Sequence, residues 1–592
     1  MFNEKLSEQI LQHCTKIIEL FLGDYKSSNS IVNFFSSSRG GEYEQKIVTL
    51  IDMFCHISVS PKYIEKLCQL VLKTEYVLMI EASSPYRGAL VKFLLRFPAE
   101  TVDLFLMESI MTDAQWNRFF IYILKHENGA SFRTVIKNNK YNILITYLKC
   151  SSEIQIPQKY EIQHQSVLII FTLMELDDQW IPTRQDIVDV LKTTWQGHLS
   201  STCADNVVCD LWHLIGKILL LYFSNNTNEI DLLFQLLRAL CFRFIPDVHF
   251  LRDFLQNTVA QSFTVSWKRN AFFHFVENFN NNAISEELKA KIITSVIIPC
   301  FTVSFDKGEG NKLIGAPPTP YQEDEKNIVS VFINKVFDPD KQYEDSVRIA
   351  LLQLACLLVE RASQHIHDGD ANNKRQGNKL RRLMTFAWPC LLSKNSVDPT
   401  ARYHGHLLLA HIIARLAIHK KIVLQVFHSL LKGHALEARS IVKQALDVLT
   451  PAMPLRMEDG NTMLTHWTKK IIVEEGHAMQ QLFHILQLII RHYKVYFPVR
   501  HQLVQHLINY MQRLGFPPTA SIEHKKLAVD LAEVIIKWEL HRIKEDEREA
   551  KVLSEEESSI KRSGIDAAEQ RKKSSDNIRE TVPQGNQKYY MF

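Results

Sequence analysis

The stretch from Leu527 to Lys544 reads LAVDLAEVIIKWELHRIK, and its apolar residues recur at the spacing of an α-helix. Four large apolar side chains stand at positions i, i+4, i+7 and i+11: Leu527, Leu531, Val534 and Trp538. Such positions share one face of a helix, so they form the dry face of an amphipathic helix. The wetter side carries two oppositely charged i,i+4 pairs, Lys526 with Asp530 and Glu533 with Lys537.

A second kind of segment lies upstream, where residues 482–490 read LFHILQLII and are apolar almost all round. A helix without a polar face must lie between neighbouring helices. Elsewhere start and stop signals divide the chain into segments of about 12 to 20 residues. One such signal is a capping box in which Thr112 precedes Gln115 by three residues. Glycine is scarce, with 19 among 592 residues, which disfavours turn-rich β architectures.

Half-buried and fully buried helices that alternate about every 40 residues are typical of HEAT and armadillo arrays. The predicted fold is therefore all-α, an α-solenoid of HEAT-like helix pairs with a disordered C-terminal tail. We expect repeats over residues 1–305 and 327–544, separated by an exposed loop rich in Gly and Pro over 306–326. Residues 545–592 are polar and rich in Ser and charge, and predict the disordered tail.

Composition and cysteine spacing argue against a membrane protein, a disulfide-rich protein and a zinc-binding protein. The longest nearly apolar stretch, Leu211 to Phe223, is interrupted by His213 and Lys217, so we expect no membrane span. The ten cysteines are scattered without any CxxC spacing. That pattern favours reduced thiols in a nuclear or cytosolic protein over a disulfide framework or a zinc site.

The sequence contains none of the catalytic or nucleotide-binding motifs that we considered. Gly308, Gly310 and Gly315 have the wrong spacing for a nucleotide fingerprint and follow no predicted strand. The histidines at 404, 406 and 411 come without a carboxylate or thiolate at metal spacing. The favoured interpretation over a metal site is that His404 and His411, seven residues apart, share a helix face as packed or hydrogen-bonded core histidines. The sequence predicts no enzyme, no cofactor and no small-molecule substrate.

Charge is distributed unevenly along the chain. Residues 371–520, the basic segment, hold 20 Lys+Arg against 7 Asp+Glu, a balance of +13, whereas the rest carries −9. Five cations are packed into nine positions and are candidate contacts to an acidic partner: Lys374, Arg375, Lys379, Arg381 and Arg382. The alternatives are a solvated face and, since no aromatic residues are interleaved for base stacking, less readily nucleic-acid phosphate.

The tail carries two short basic clusters that resemble a bipartite nuclear import signal. They are formed by Lys561, Arg562, Arg571, Lys572 and Lys573. A solvated tail without a targeting role is the alternative interpretation.

Several runs resemble the pseudokinase scaffolds of the phosphatidylinositol-3-kinase-related kinase family. The runs are LRRLMTFAWPCLLSK (380–394), GHLLLAHIIARLAIHKKIVLQVFHSLLKGHALEAR (405–439), RMEDGNTMLTHWTKKIIVEEGH (456–477) and residues 527–544 quoted above. Weaker matches are EIDLLFQLLRAL (229–240), SFDKGEGNKLIG (304–315) and FNEKLSEQILQH (2–13). The resemblance covers roughly residues 1–544, whereas the ending QGNQKYYMF is not similar to the family.

The resemblance implies a fragment of the central HEAT-repeat region of a much longer protein, which continues into a FAT domain and a kinase-like domain without catalytic residues. It also implies a non-catalytic nuclear scaffold of histone acetyltransferase complexes of the SAGA and NuA4/TIP60 types, with acetyltransferase subunits and acidic transcriptional activators as partners. Neither an HRD-type loop nor a DFG motif occurs in this chain. The alternative is a karyopherin-like HEAT-repeat transport receptor, which the basic segment disfavours because such receptors tend to be acidic.

Overall fold

The computed structural model describes residues 2–27, 38–57, 59–149, 156–199, 206–241, 248–316, 325–366, 377–391, 398–432, 439–475 and 479–573. Within these ranges every regular element is a helix, so the predicted all-α class is confirmed. The chain divides into two compact units, Met1–Ala316 and Pro317–Phe592.

The first unit is a succession of antiparallel helices in which each helix packs on its neighbours in the chain. Its α-helices are α1 (Phe2–Ser27), α2 (Ser38–His56), α3 (Tyr63–Leu78), α4 (Tyr86–Leu94), α5 (Pro98–Phe105), α6 (Glu108–Met111), α7 (Ala114–Lys125), α8 (Ala130–Val135), α9 (Tyr141–Lys149), α10 (Ile156–Leu176), α11 (Gln185–Leu199), α12 (Asn206–Asn225), α13 (Ile230–Leu237), α14 (His249–Asp253), α15 (Ala260–Ser262), α16 (Val265–Asn278), α17 (Glu286–Ile292), α18 (Ile298–Asp306) and α19 (Gly310–Ile314). Alternate helices lie side by side, as α2 does with α4 and α10 with α12.

The second unit continues the same pattern. Its α-helices are α20 (Ile328–Val331), α21 (Asp345–Ala362), α22 (Asn378–Ala387), α23 (Pro399–Arg415), α24 (Lys420–Lys432), α25 (Arg439–Arg456), α26 (Gly460–Glu475), α27 (Met479–Arg491), α28 (Tyr493–Tyr496), α29 (Val504–Gly515) and α30 (Ile522–Lys573). Here α21, α23 and α25 form one row of packed helices, and α24, α26 and α27 contact one another.

The repeat period is visible in the backbone. Three π-helical turns, Phe254–Val259, Ile293–Ile297 and Phe332–Val336, begin at residues 254, 293 and 332, which places each start 39 residues after the last. A π-turn widens a helix by one residue and depends on local packing. Its recurrence at this interval agrees with the repeat of about 40 residues expected for HEAT-like pairs.

Side-chain hydrogen bonds between helices follow the same period. The hydroxyl of Tyr147 donates to the carbonyl of Leu106 at 2.6 Å, 41 residues earlier in the chain. The indole of Trp267 donates to the carbonyl of Thr227 at 2.7 Å, across 40 residues. The ammonium of Lys192 lies 2.7 Å from the carboxylate of Glu229, across 37 residues. Each repeat is therefore joined to the next by polar contacts as well as by its apolar face.

Several Arg and Lys side chains donate hydrogen bonds to the last carbonyls of helices and so cap their carboxyl ends. Arg96 donates to the carbonyls of Phe54 and Ile57, at 2.6 and 2.8 Å, just where α2 ends. Lys268 is buried and donates to the carbonyl of Ala260 at 2.7 Å, in the last turn of the preceding helix. The final carbonyls of a helix lack intrahelical partners and carry partial negative charge, so a cation is favoured there.

Two helical stretches, Asn206–Asn225 and Glu286–Asp306, are long and apolar enough to cross a membrane by length and composition alone. This differs from the sequence expectation, because the occasional polar residues fall inside windows that remain apolar on average. In both, 56% of the apolar window is buried within the protein, as in core helices. In α12, Trp212 stacks on Trp195 of α11 with ring centroids 4.2 Å apart.

Three local features depart from the sequence expectations or extend them. The N-cap of α7 is Asp113 and not Thr112, since the Asp113 carboxylate accepts from the amides of Gln115 and Trp116. Within the segment predicted as a loop over 306–326, α19 forms a short helix, whereas residues 317–324 lie outside the described part. Helix α30 continues to Lys573, and the remainder of the predicted tail lies beyond the described residues.

Seven cysteines among the described side chains form no disulfide: those at positions 14, 55, 68, 209, 241, 300 and 356. Burial raises the pKa of Cys14 and of Cys300 to about 12, because a thiolate is poorly solvated in an apolar interior. Such thiols stay protonated and unreactive at neutral pH.

Candidate functional site

The basic segment lies in the second unit, and three of its seven acids form ion pairs among the described residues. Asp447 on α25 accepts from Arg491 at 2.9 Å and lies 2.8 Å from the ring of His492. Asp459 forms an ion pair with Lys420. With these acids paired internally, and with 20 Lys and Arg against 7 Asp and Glu, the segment keeps a surplus of positive charge.

Some of its cations are committed inside the protein as well. Lys379 is only 5% exposed, and its ammonium lies 3.4 Å from the carbonyl of His365. Arg382 donates to the carbonyls of Ile333 and Phe337, at 3.1 and 3.4 Å, where the π-turn before it ends. Both side chains therefore act as helix caps that join one repeat to the next.

The five predicted partner contacts are thus separated by the structure. Arg381 is exposed on α22 and forms no ion pair among the described residues. Lys379 and Arg382 direct donors to backbone carbonyls, and Arg382 also lies 3.9 Å from Asp338. Their contact with an acidic partner stays a prediction. Lys374 and Arg375 lie outside the described residues. The sequence places all five close together but cannot show that carbonyls 14 to 49 residues away accept from Lys379 and Arg382.

Other Lys and Arg side chains of the basic segment are exposed and could contact an acidic partner. We define the free cation set as the exposed Lys and Arg of the basic segment whose side chains form neither an ion pair nor a hydrogen bond within the described ranges: Arg381, Arg415, Lys421, Arg439, Lys443, Lys469 and Lys494. They are spread over six helices, α22 to α26 and α28, so they provide a diffuse positive surface. Single exposed charges attract weakly, but several acting together raise the rate of encounter with an acidic partner. The set could not be identified from sequence, since exposure depends on the tertiary packing.

The histidine cluster belongs to the core. His404 is buried, donates from Nδ1 to the carbonyl of Thr400 at 2.8 Å, and its Nε2 lies 3.0 Å from the Gln353 amide. His406 is fully buried between the carbonyl of Arg402 and the hydroxyl of Ser429. Burial lowers the pKa of His406 to about 4. The interpretation as a packed, hydrogen-bonded core histidine is confirmed for His404, whereas His411 is only partly buried.

Grooves between successive helix pairs are shallow. A groove lined in part by Lys192, Glu229, Asp231 and His274 has a volume of about 330 Å³, and its acids are already paired with its cations. Among the described residues no group of three or more His, Cys, Asp or Glu side chains is placed to hold a metal ion. The surface available for function is therefore the extended exterior of the helices.

The predicted import signal lies on the backbone of α30, since Lys561, Arg562, Arg571, Lys572 and Lys573 all fall before the end of this helix. The two clusters therefore share one continuous helical segment. Their role stays a prediction.

Comparison with known proteins extends the resemblance seen in the sequence. A family model described as the Tra1 HEAT repeat ring region matches residues 1–590. The chain is 84% identical over 590 residues to Transcription-associated protein 1 of Drosophila melanogaster, covering 99% of this chain and 16% of that protein. It is 45% identical over 607 residues to the human Transformation/transcription domain-associated protein, covering 97% of this chain and 16% of the relative.

The name of a more distant relative states the complexes to which that protein belongs. The chain is 23% identical over 517 residues to the Saccharomyces cerevisiae protein called SAGA complex/NuA4 acetyltransferase complex subunit TRA1, covering 83% of this chain and 13% of that protein. The chain thus spans about a sixth of the length of these curated relatives.

The extent of these matches corrects one expectation. The family model continues to residue 590, so the segment after residue 544 is part of the family region although its ending looked dissimilar. Polar, charged sequence offers few distinctive apolar positions by which a resemblance can be seen. Because the family model and the fly relative both cover nearly every residue, the chain belongs to the Tra1 HEAT repeat ring region family.

Proposed function

We propose that this chain is a non-catalytic scaffold segment of histone acetyltransferase complexes of the SAGA and NuA4/TIP60 types, which recruits them to transcriptional activators in the nucleus. The observation that carries the proposal is its identity, over nearly all of its length, to transcription-associated relatives. The name of the yeast relative supplies the class of complex.

The architecture supports a geometric mechanism. Stacked helix pairs joined at intervals of about 40 residues offer a long surface on which several weak contacts can add. Contacts such as Trp267 with Thr227 and Lys192 with Glu229 hold adjacent repeats in register, so separate binding elements keep a fixed spacing. A fixed spacing lowers the entropy lost when a partner engages several repeats at once.

The free cation set gives this surface a preference for acidic partners. Its charges, exemplified by Arg381, Lys443 and Lys469, are exposed, so their attraction acts mainly on encounter and is screened by salt. Acidic segments of transcriptional activators have the complementary charge. In this proposal the basic segment captures such segments while other repeats contact acetyltransferase subunits.

Affinity purification of the native protein from nuclear extract tests the proposal. Recovery of acetyltransferase subunits, with histone acetylation activity in the eluate, is the expected result. A parallel purification at high salt separates the two kinds of contact, because activator binding through exposed charges is lost while apolar subunit contacts persist. Recovery of the intact protein without any acetyltransferase subunit at either salt concentration would overturn it.

A further inference from the structure

A second groove in the first unit differs in charge from the one described above. It lies between the end of α9, the start of α10 and the second half of α11, and it has a volume of about 470 Å³. That volume falls within the range of about 300–1,000 Å³ that is typical of ligand sites. Its floor is formed by the buried side chains of Leu148, Gln163 and Val190. We call it the lysine groove, because two lysines line it.

These two lysines, Lys149 and Lys159, have no counter-charge. Lys149 is exposed and Lys159 is half-buried, and neither side chain forms an ion pair or a hydrogen bond within the described ranges. None of the described residues that line the groove is acidic. In the smaller groove, by contrast, Lys192 is paired with Glu229. The lysine groove therefore concentrates two unpaired positive charges.

The position of Lys159 is opposed to the electrostatics of its own helix. Helix α10 begins at Ile156, so Lys159 is its fourth residue, and the first turn contains no acid. The partial positive charge at a helix N-terminus disfavours a cation and favours an anion. Lys149 is instead the last residue of α9, where a cation is favoured. Helix stability thus accounts for Lys149 but not for Lys159, and an anion beside Lys159 would be attracted by the lysine and by the helix together.

The wall of the groove carries hydrogen-bond acceptors. Gln163 is only 4% exposed, and its Nε2 donates to the carbonyl of Leu148 at 2.9 Å, whereas its Oε1 has no donor among the described residues. A buried acceptor without a donor is unfavourable, so a ligand that supplies an N–H is favoured there. Thr193 and Thr194 each donate to a carbonyl of their own helix at 2.9 Å, so their hydroxyl oxygens can only accept from a ligand.

We infer that the lysine groove binds a segment of a partner protein that carries a phosphorylated serine or threonine. The phosphate lies at Lys149 and Lys159, and N–H groups of the segment donate to the acceptors of the wall. A phosphate monoester carries about two negative charges at neutral pH, which matches two lysines, whereas a carboxylate carries one.

The acceptors of the wall separate this ligand from other phosphates. A peptide backbone supplies a row of N–H donors, but the sugar–phosphate backbone of DNA supplies none, and an inorganic phosphate ion is too small to reach the wall and the lysines together. The inference does not depend on the proposed function, since the lysine groove lies in the first unit and the basic segment in the second.

Retention of short synthetic peptides on the immobilised 592-residue chain tests the inference. The peptides have random flanking residues and carry phosphoserine, serine or glutamate at the centre. We expect phosphoserine peptides to be retained about ten-fold more than serine peptides, and more than glutamate peptides. Lys149→Gln with Lys159→Gln should lower their retention to that of serine peptides. Gln163→Met keeps both lysines but removes the buried acceptor, and should lower retention about three-fold.

A matched control removes two lysines from another helix of the same unit. Lys66→Gln with Lys73→Gln changes two exposed lysines of α3 that likewise form no ion pair within the described ranges, and should leave retention unchanged. Thermal unfolding should give the same midpoint for both lysine variants and the parent chain, since all four lysines lie at the surface.

Three results would overturn the inference. The first is equal retention of phosphoserine and glutamate peptides, and the second is an equal loss of retention in the two lysine variants. The third is that inorganic phosphate or single-stranded oligothymidylate displaces the peptides as effectively as free phosphoserine peptide does. Displacement by phosphate would assign the lysines to a simple anion site, and displacement by oligothymidylate would assign them to nucleic acid.

Discussion

Arg87 and Glu75 form a bidentate ion pair in the interior of the first unit, with Nε–Oε1 and Nη2–Oε2 distances of 2.9 and 2.7 Å. The Glu75 side chain is completely buried and that of Arg87 is 9% exposed. The guanidinium also lies over the rings of Phe119 and Tyr122, at 5.3 and 5.1 Å from their centroids. This pair connects α3 and α4 to the aromatic core of α7.

Removing one partner of this pair should lower the stability of the folded protein. Glu75→Gln removes the bidentate partner of the buried Arg87 and leaves it only the longer contact to Glu81, at 3.7 Å, which Glu81 shares with Arg118. We expect the free energy of unfolding to fall by about 3 kcal/mol. Urea unfolding followed by circular dichroism measures the loss. The control is Glu175→Gln, which breaks the exposed Lys125–Glu175 pair and should cost less than about 1 kcal/mol. Equal losses for the two variants would contradict the buried pair's role.

The helix cap of α7 gives a second prediction. Asp113→Ala removes the acceptor for the amides of Gln115 and Trp116 and should destabilise the protein by about 1 kcal/mol. Thr112→Ala removes only a hydroxyl that donates to the carbonyl of Ser109, and should cost less than about 0.5 kcal/mol. Thermal unfolding of the two variants compares them directly. A larger effect at Thr112 would restore the capping box expected from sequence.

The third prediction concerns acid stability. The pKa of His406 is lowered from 6.5 to about 4 by burial, so between these values the unfolded chain binds a proton that the folded protein excludes. The free energy of unfolding should therefore fall as the pH is lowered through this window, by about 1.4 kcal/mol per pH unit from this group. Below pH 4 its contribution is fully lost.

The variant His406→Asn isolates this term, because asparagine does not titrate and can still bond to Ser429 or to the carbonyl of Arg402. Urea unfolding at a series of pH values should give a shallower slope for the variant than for the parent protein, whatever the stability of the variant at pH 7. Parallel slopes between pH 6.5 and 4 would contradict the assignment.

Adjacent arginines in the basic segment should behave differently, which gives a fourth prediction. Arg381→Glu should weaken binding of a polyglutamate peptide by about three- to ten-fold at low salt, with the loss shrinking as salt rises, and should leave thermal stability unchanged. Arg382→Glu should instead lower the unfolding temperature, since it removes donors to the carbonyls of Ile333 and Phe337. Fluorescence anisotropy at two salt concentrations and thermal unfolding provide the two measurements. Unchanged peptide binding by Arg381→Glu at low salt would exclude it from the contact surface.

The fifth prediction concerns nuclear import. Alanine at Lys561, Arg562, Arg571, Lys572 and Lys573 should lower the nuclear fraction of a fluorescent fusion of the chain, because import receptors bind clustered cations. The control carries Lys525→Ala and Lys526→Ala, which remove exposed cations at the start of α30. Quantitative fluorescence microscopy measures the distribution. An unaltered nuclear fraction in the five-residue variant would assign the clusters to a solvated tail.

Fold class and core helices could be predicted because they depend on local periodicity. The stripe of Leu527, Leu531, Val534 and Trp538 is buried as its spacing predicts. The burial and hydrogen-bond partners of individual polar residues could not be predicted. Lys379 and Arg382 look like surface cations in sequence, yet their acceptors, such as the carbonyl of Ile333, lie on other helices.

The interval between bonded residues has a consequence for how the protein is made. Contacts such as Tyr147 with Leu106 and Trp267 with Thr227 reach back about one repeat, so each can form once about 40 further residues have been synthesised. At translation rates of about 5–20 residues per second, that amount of chain appears every few seconds. Short contact separations also favour rapid folding. The array can therefore fold repeat by repeat as it leaves the ribosome, with each completed repeat serving as the template for the one that follows.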